Sequence, residues 1–460
     1  MRRASSRSIA ALLLVAACGR GEAEPADPLA LRLPTGALLS PDGAWLFVAN
    51  SNLDLEVQTS TLVSIDLRAL DRAFAEEPGP EGSALSGARP CRLARDLDED
   101  VVECEARSFL QREHSVRLPS GAGNIALDLP IGDEGPWRLL IPSSLDRSVT
   151  WVDVLRGPSG IEVDCDQDAE GECDEGHVMR RLGGDGSSLP TDAGRITVDP
   201  VYRYAYLPHL LGANMTLIAL DAEYGPMITD IAGEFFDTYP SNNEQQYMGG
   251  FAVVRRACDP AEPAAGTEGC TRPLLYAAQR FFPGVRLFTV ETGRDDLIRF
   301  GAYRLEGVNI GEAGDRPFMG GLEFEDPEEG ERLLIVHTTP PALARVDTRL
   351  RESGVPINDT LESVALCENP NVLAVSRPPG GEAMAFISCY SADAVAAVAL
   401  GSFQVVATID VDDGPNELIV DQAREKLLVV HTLAHTVGVV ELDRKSPRYL
   451  TMIRRIGLRG

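Results

Sequence analysis

Residues 36–50, GALLSPDGAWLFVAN, followed by 61–67, TLVSIDL, spell a β-meander. Apolar residues fill 37–39 and 44–49. Between them Ser40-Pro41-Asp42-Gly43 is a tight-turn sequence, because proline presets one backbone angle and glycine accepts a left-handed one. The third segment, after a polar loop, alternates apolar and polar residues. Each run is too short for a stable helix and is bounded by turn formers, so strand, turn, strand, loop, strand is the reading.

The same unit closes the chain: NELIVDQAREKLLVVHT (416–432), then TVGVVELD (436–443). Between these ends the second strands superpose at 46–50, 139–142, 204–208, 275–278, 333–337, 384–388 and 427–431. The third strands follow in step at 62–66, 149–153, 216–221, 285–291, 342–347, 394–400 and 437–443. That makes seven units, spaced most tightly by about 43 residues, which matches one four-stranded propeller blade. The longer spacings carry insertions. A single unit cannot bury its own faces, so neighbours must stack, and radial closure removes the exposed sheet edges of a linear array. The expected fold is all-β, a seven-bladed β-propeller over 29–460 with disulfide-stapled loop insertions. YLTMIRRIGL (449–458) looks like VVATIDV (405–411), the strand before the seventh unit, and no eighth unit follows it. It is expected to complete the sheet of the first blade, with Leu29 to Leu33 as the competing donor.

SPDGAWLFVANSN (40–52) with TLVSIDL (61–67) resembles the YVTN-type β-propeller repeat, with its SPDG turn and V-A-N strand end. GPNELIVD (414–421), KLLVVHT (426–432) and VGVVELD (437–443) are a weaker copy, and ATIDV (407–411) resembles the strand preceding each such repeat. The likeness is clear in the first and last units and faint between them. It implies a seven-bladed disc with a central channel, in a superfamily that includes lactonase-like, surface-layer and quinoprotein-like propellers. It does not carry a function, since the scaffold hosts enzymes and binding modules alike.

The chain has 460 residues and a formal net charge of -28, with 43 Gly and 31 Pro. The apolar content suffices for a core and excludes wholesale disorder. The acidic balance argues against nucleic acid as a partner. Arg2 and Arg3 precede a short apolar run, IAALLLVAA (9–17), too short for a permanent membrane span. Val15-Ala16-Ala17-Cys18 resembles the bacterial lipobox, which implies cleavage before Cys18 and its lipidation. Several acyl chains would anchor the protein stably where one would not. An ordinary secretory peptide is the alternative. The expected organisation is a signal peptide over 1–17, a lipidated tether over 18–28 and the propeller over 29–460. Gly19, in place of the Asp resembling an inner-membrane retention signal, points to the outer membrane.

Eight further cysteines make an even set in a chain bound for an oxidising compartment. Sequence alone permits 105 pairings. Proximity favours Cys91–Cys104, Cys165–Cys173, Cys258–Cys270 and Cys367–Cys389, each stapling a local excursion. No CxxC occurs. The insertion DCDQDAEGECDE (164–175) sets Asp164, Asp166, Asp168, Glu170, Glu172 and Glu175 at positions 1, 3, 5, 7, 9 and 12 of an EF-hand-like loop, where carboxylates converge on Ca2+. Ala169 stands where glycine normally allows the turn, and the Cys165–Cys173 staple constrains the loop differently, so a solvated acidic loop is the other reading.

Six histidines, His114, His177, His209, His337, His431 and His435, form no HExxH. His337 and His431 share a repeat position with Asn50 and Pro142, which favours a blade-edge role, while His177 closes the acidic insertion. FDTYPSNNEQQYMGGF (236–251) reads as a long polar loop or a ligand face. No GxSxG elbow, P-loop or dinucleotide fingerprint is present, so no catalytic set is nominated. Two functions follow. The first is an outer-membrane-anchored envelope lipoprotein acting as a scaffold for another envelope protein or a glycan. The alternative is a divalent-metal-dependent hydrolase of the lactonase-like propeller type.

Overall fold

A computed structural model describes residues 25–458 apart from 88, 95–100, 133–134, 158–159, 222–224, 237, 242–243, 248, 257–273, 281–283, 293–297, 302–307, 310–317 and 353–355. The lipobox with Cys18, and the Cys258 and Cys270 pair, lie outside the described residues.

Seven antiparallel blades follow one another along the chain, each built from contiguous sequence. Blade 1 is Pro34–Leu39, Trp45–Asn50, Ser60–Asp66 and Val116–Leu118. Blade 7 is Pro415–Asp421, Lys426–His431, Thr436–Glu441 and Met452–Ile456. The first strands of successive blades neighbour each other and form the innermost ring. The second and third strands are covered on both faces by the adjacent blades. Trp45–Asn50 and Ala394–Ala399 are therefore buried along their whole length and read as continuous apolar runs. The core lies between blades: Phe47 and Leu62 of blade 1 pack on Leu139, Ile141 and Val152 of blade 2, and Val48 and Val63 pack on Val430 and Val437 of blade 7.

Closure of the ring differs from the expectation. Met452–Ile456 does not enter blade 1; it pairs with Thr436–Glu441 as the outer strand of blade 7, and Leu29 to Leu33 form no strand. VVATIDV (405–411) likewise belongs to blade 6, where Gln404–Asp410 is the outer strand. The fourth strand of blade 1 is Val116–Leu118, reached only after the long insertion. That insertion opens with a helix the sequence reading omitted, Leu67–Ala75, capped by the Asp66 carboxylate on the amides of Arg68 and Ala69. It then forms a hairpin, Cys91–Ala94 with Val101–Cys104, that crosses to blade 7. There Val101–Cys104 runs parallel to Met452–Ile456, with Arg455 opposite Glu103.

The hairpin is fixed by a buried ionic network. Arg455 donates from Nε and Nη2 to Asp412, both at 2.6 Å, and from Nη1 to Glu103 at 3.2 Å. Glu103 also accepts from Arg92 Nε at 2.7 Å. Cys91–Cys104 links the two hairpin strands, Cys165–Cys173 closes the acidic insertion, and Cys367–Cys389 joins the approach to blade 6 to its second strand. The first of these staples an element that grips the opposite end of the chain, rather than a purely local excursion.

Candidate functional site at the channel mouth

The first strands begin, and the second strands end, on the same face of the disc. Pro34 faces Asn50, Gly250 faces Gln279, Met319 faces His337, Pro370 faces Cys389 and Pro415 faces His431. In these five blades the register breaks immediately afterwards. Such bulges re-aim side chains, here at the rim of the central channel. In blades 2 and 3 the corresponding bridges are Ala122 to Ser143 and Ala193 to His209. The following residue in each blade, in order, is Thr35, Gly123, Gly194, Phe251, Gly320, Asn371 and Asn416, and Asn124, Arg195 and Glu417 come one residue later.

These positions are joined in a closed belt. Arg280, at the end of the second strand of blade 4, donates through Nη1 to Met319 O at 2.7 Å and to Asn371 Oδ1 at 3.3 Å. Asn371 Nδ2 donates to Asn416 Oδ1, and Asn416 Nδ2 to Thr35 O, each at 3.3 Å. Thr35 Oγ1 donates to Ala122 O at 2.7 Å. Asn124 exchanges two 3.0 Å bonds with the backbone of Ile196, and Arg195 N donates to Phe251 O. Arg280 stacks over the Phe251 ring at 4.8 Å, completing the circle. Blade 5 supplies Gly320 because nothing larger fits: a Cβ there would lie 2.1 Å from Asn371 O.

One contact spans the circle. Arg195 of blade 3 donates through Nη2 to Glu417 Oε1 of blade 7 at 2.8 Å, although these blades are not neighbours. Glu417 is buried, and its second oxygen, Oε2, has no hydrogen-bond partner among the described residues. Burial raises its pKa above the ordinary glutamate value; the charge and hydrogen bond of Arg195 oppose this without cancelling it. Among the described residues Arg280 has no carboxylate partner, and its burial lowers its pKa. Gln279 Nε2 and His337 Nε2 at the same level are also buried without partners. Buried polar atoms in native proteins are ordinarily satisfied, so these atoms are where the mouth can accept water or a polar ligand. The belt amides are already engaged and hold the geometry rigid.

No known family profile matches the chain, and no curated protein matches it. Solved structures do. A "putative 6-phosphogluconolactonase" from Bacteroides fragilis is 12% identical, with a TM-score of 0.55 over 91% of this chain and 97% of that one. A protein from Lactobacillus plantarum is 11% identical, with a TM-score of 0.50 over 87% and 92%. The likeness is one of fold.

The mouth residues were not singled out from sequence, yet they share a signal. Pro370-Asn371 and Pro415-Asn416 repeat a proline followed by an asparagine at one repeat position, and Arg195 and Glu417 share the next one. In the acidic insertion several of the expected calcium ligands have local partners. Asp164 Oδ1 accepts from Asp166 N, Asp168 Oδ1 accepts from the amides of Glu170 and Glu172, Glu175 pairs with Arg180, and Asp166 lies 3.4 Å from His177. No group of three or more His, Cys, Asp or Glu among the described residues is placed to hold a metal ion. His337 and His431 do end second strands. His209 is bonded at both nitrogens, and burial lowers His209 and His337 to about 4, so both are neutral at pH 7. In the 236–251 segment the backbone forms a hairpin, Thr238–Ser241 with Glu244–Tyr247.

Proposed function

We propose that the chain is a hydrolase of the lactonase-like kind, acting at the channel mouth on a small, hydroxyl-rich, anionic ester or lactone. The observation that carries this is the buried, unpartnered Oε2 of Glu417, held by Arg195 within a belt that also contains the unpaired cation Arg280. The fold likeness to a protein described as a 6-phosphogluconolactonase supports the same class. In this mechanism Glu417 Oε2 takes a proton from water as the water oxygen bonds to the ester carbonyl. Arg280 stabilises the developing oxyanion, the acyl–oxygen bond breaks, and the proton passes to the departing alkoxide.

The divalent-metal form of this reading does not fit the donor set. Glu417 is paired with Arg195, Arg280 adds a guanidinium with no carboxylate partner among the described residues, and the neighbouring amides are committed to the belt, so the mouth suits an anion rather than a cation. No step is routed through a metal.

Glucono-1,5-lactone and its 6-phosphate, followed by pH-stat, test the proposal. Glu417→Gln should lower kcat by about 10²–10⁴ with an unchanged melting temperature. The wild-type limb should rise with pH above the ordinary glutamate range, and Arg195→Met should move it higher, because Arg195 is what restrains the shift. Absence of turnover of both lactones by wild type would sink the proposal.

A second reading, the envelope scaffold that binds a protein or glycan, has its own support. Leu53, Leu55, Leu145, Leu211 and Leu433 are exposed on the loops joining second and third strands of blades 1, 2, 3 and 7, all on the mouth face. An apolar arc of this kind marks contact surfaces. Export, and anchoring in the outer membrane through Cys18, belong to both readings.

A further inference from the structure

We propose that a second cleft, beneath the segment 25–33 where it lies against blade 1, binds a neutral saccharide. The cleft measures about 520 Å³ and is lined by residues of that segment together with Asn50, Ser51, Glu56, Thr59, Thr61 and His435. It shares none of these residues with the Arg195–Glu417 belt, so the two assignments stand or fall separately. Its volume falls in the range of small-molecule sites.

Three of its polar atoms are buried without a partner among the described residues: Ser51 Oγ, Thr59 Oγ1 and Arg32 Nε. Ser51 is only 2% exposed. A fourth group is defined by its tautomer. His435 Nδ1 accepts from Leu33 N at 2.8 Å, and burial lowers its pKa, so the ring is neutral and carries its proton on Nε2. The unmet groups are thus two hydroxyls, which donate and accept, and the Arg32 N–H, with the His435 Nε2–H as a further donor on a residue that lines the cleft.

The charges around the cleft are already spent on each other. Arg32 pairs with Asp54 at 2.5 Å and Glu56 at 2.6 Å, and Asp27 pairs with Arg107 at 2.5 Å. With two carboxylates on Arg32, an incoming anion meets repulsion. What remains unmet is a set of neutral donors and acceptors, and sugar hydroxyls both donate and accept in the same way. Asn50 stiffens the wall, donating from Nδ2 to Ala30 O and Thr61 Oγ1, each at 2.9 Å. The cleft is therefore preorganised for a rigid polyol.

The probes are cellobiose, maltose and N,N′-diacetylchitobiose, titrated into the full chain by calorimetry and by NMR of the histidine rings. At least one should bind saturably, shifting the His435 ring signals and leaving those of His209 in place. Ser51→Ala combined with Thr59→Val should weaken that binding at least about tenfold, and Glu417→Gln should leave it unchanged. The wild-type His435 readout keeps the test valid even if the double variant folds poorly. No saturable binding of any probe up to about 10 mM would overturn the assignment, as would binding that leaves His435 unshifted.

Discussion

Replacing Arg455 by methionine probes how the ring is locked. Arg455 and Asp412 are both fully buried, at 0% side-chain exposure. The substitution keeps the apolar volume but removes two 2.6 Å bonds to Asp412 and one 3.2 Å bond to Glu103. Asp412 then retains Thr436 Oγ1 at 2.9 Å and the neighbouring His431 Nδ1 at 3.7 Å, too little to replace a bidentate cation. Breaking one side of a buried pair costs about 3–5 kcal/mol. With an unfolding entropy near 2.1 cal/mol/K per residue, a domain of roughly 430 residues should lose about 3–6 °C in Tm.

The pH dependence gives the sharper check. Burial alone would raise the Asp412 pKa, but the bonds and charge of Arg455, with His431 and Thr436, hold it below the ordinary aspartate value. In the wild type this contribution is therefore complete above the unfolded-state pKa, and is lost only as pH falls through the depressed folded value. In Arg455→Met burial prevails, the folded pKa rises above the unfolded one, and the sign reverses. The variant's deficit should shrink as pH falls from 7 to 5, and Asp412→Asn in the same background should recover part of the loss at pH 7. Calorimetric scans at both pH values suffice. A Tm drop under about 1 °C, or a deficit that does not change with pH, would refute the reasoning.

Gly320→Ala places a Cβ 2.1 Å from Asn371 O and 3.0 Å from Val336 Cγ1, and should cost about 1–3 kcal/mol; Gly87→Ala, which meets nothing within 4 Å, should leave the denaturation midpoint unmoved. Metabolic labelling with palmitate should mark the wild-type chain and not Cys18→Ala, and equal label in both would defeat the anchoring proposal.

The seven blades were legible because their second and third strands are buried on both faces and so appear as apolar runs with turn residues between them, as in Trp45–Asn50 and Lys426–His431. The outer strands carry little of that signal. Asp359–Ala365, DTLESVA, is exposed along nearly its whole length and reads as loop. Periodicity also fixes the length of a repeat without fixing its phase. Assigning 405–411 to the unit after it, rather than before it, moved 449–458 from blade 7 to blade 1. The hairpin at Cys91–Cys104 was harder still. Its strands are short, it sits in an acidic insertion, and Glu103 meets Arg455 across 352 residues of sequence. The mouth belt is hard to read because asparagine after proline is ordinary; only its repetition at Asn371 and Asn416 distinguishes it.

The joint between blades 1 and 7 ties ring closure to the site. Without a strand exchanged between their four-stranded sheets, those blades meet through the apolar core between them and through individual bonds: Leu33 N to His435 Nδ1, Thr432 Oγ1 to Pro34 O, Asn416 Nδ2 to Thr35 O, and Arg424 to Asp71 and Gly43 O. The Asn416–Thr35 bond is also a segment of the mouth belt, and Glu417 is the next residue along. The belt therefore crosses the seam where the two ends of the propeller meet. The clamp at the rim, where the insertion hairpin grips Met452–Ile456, acts on the same blade that carries Glu417. A chain that closes by strand exchange would insulate its channel from its seam. Here loosening the rim, as in Arg455→Met, should disturb Glu417 even though the network and the mouth share no residue.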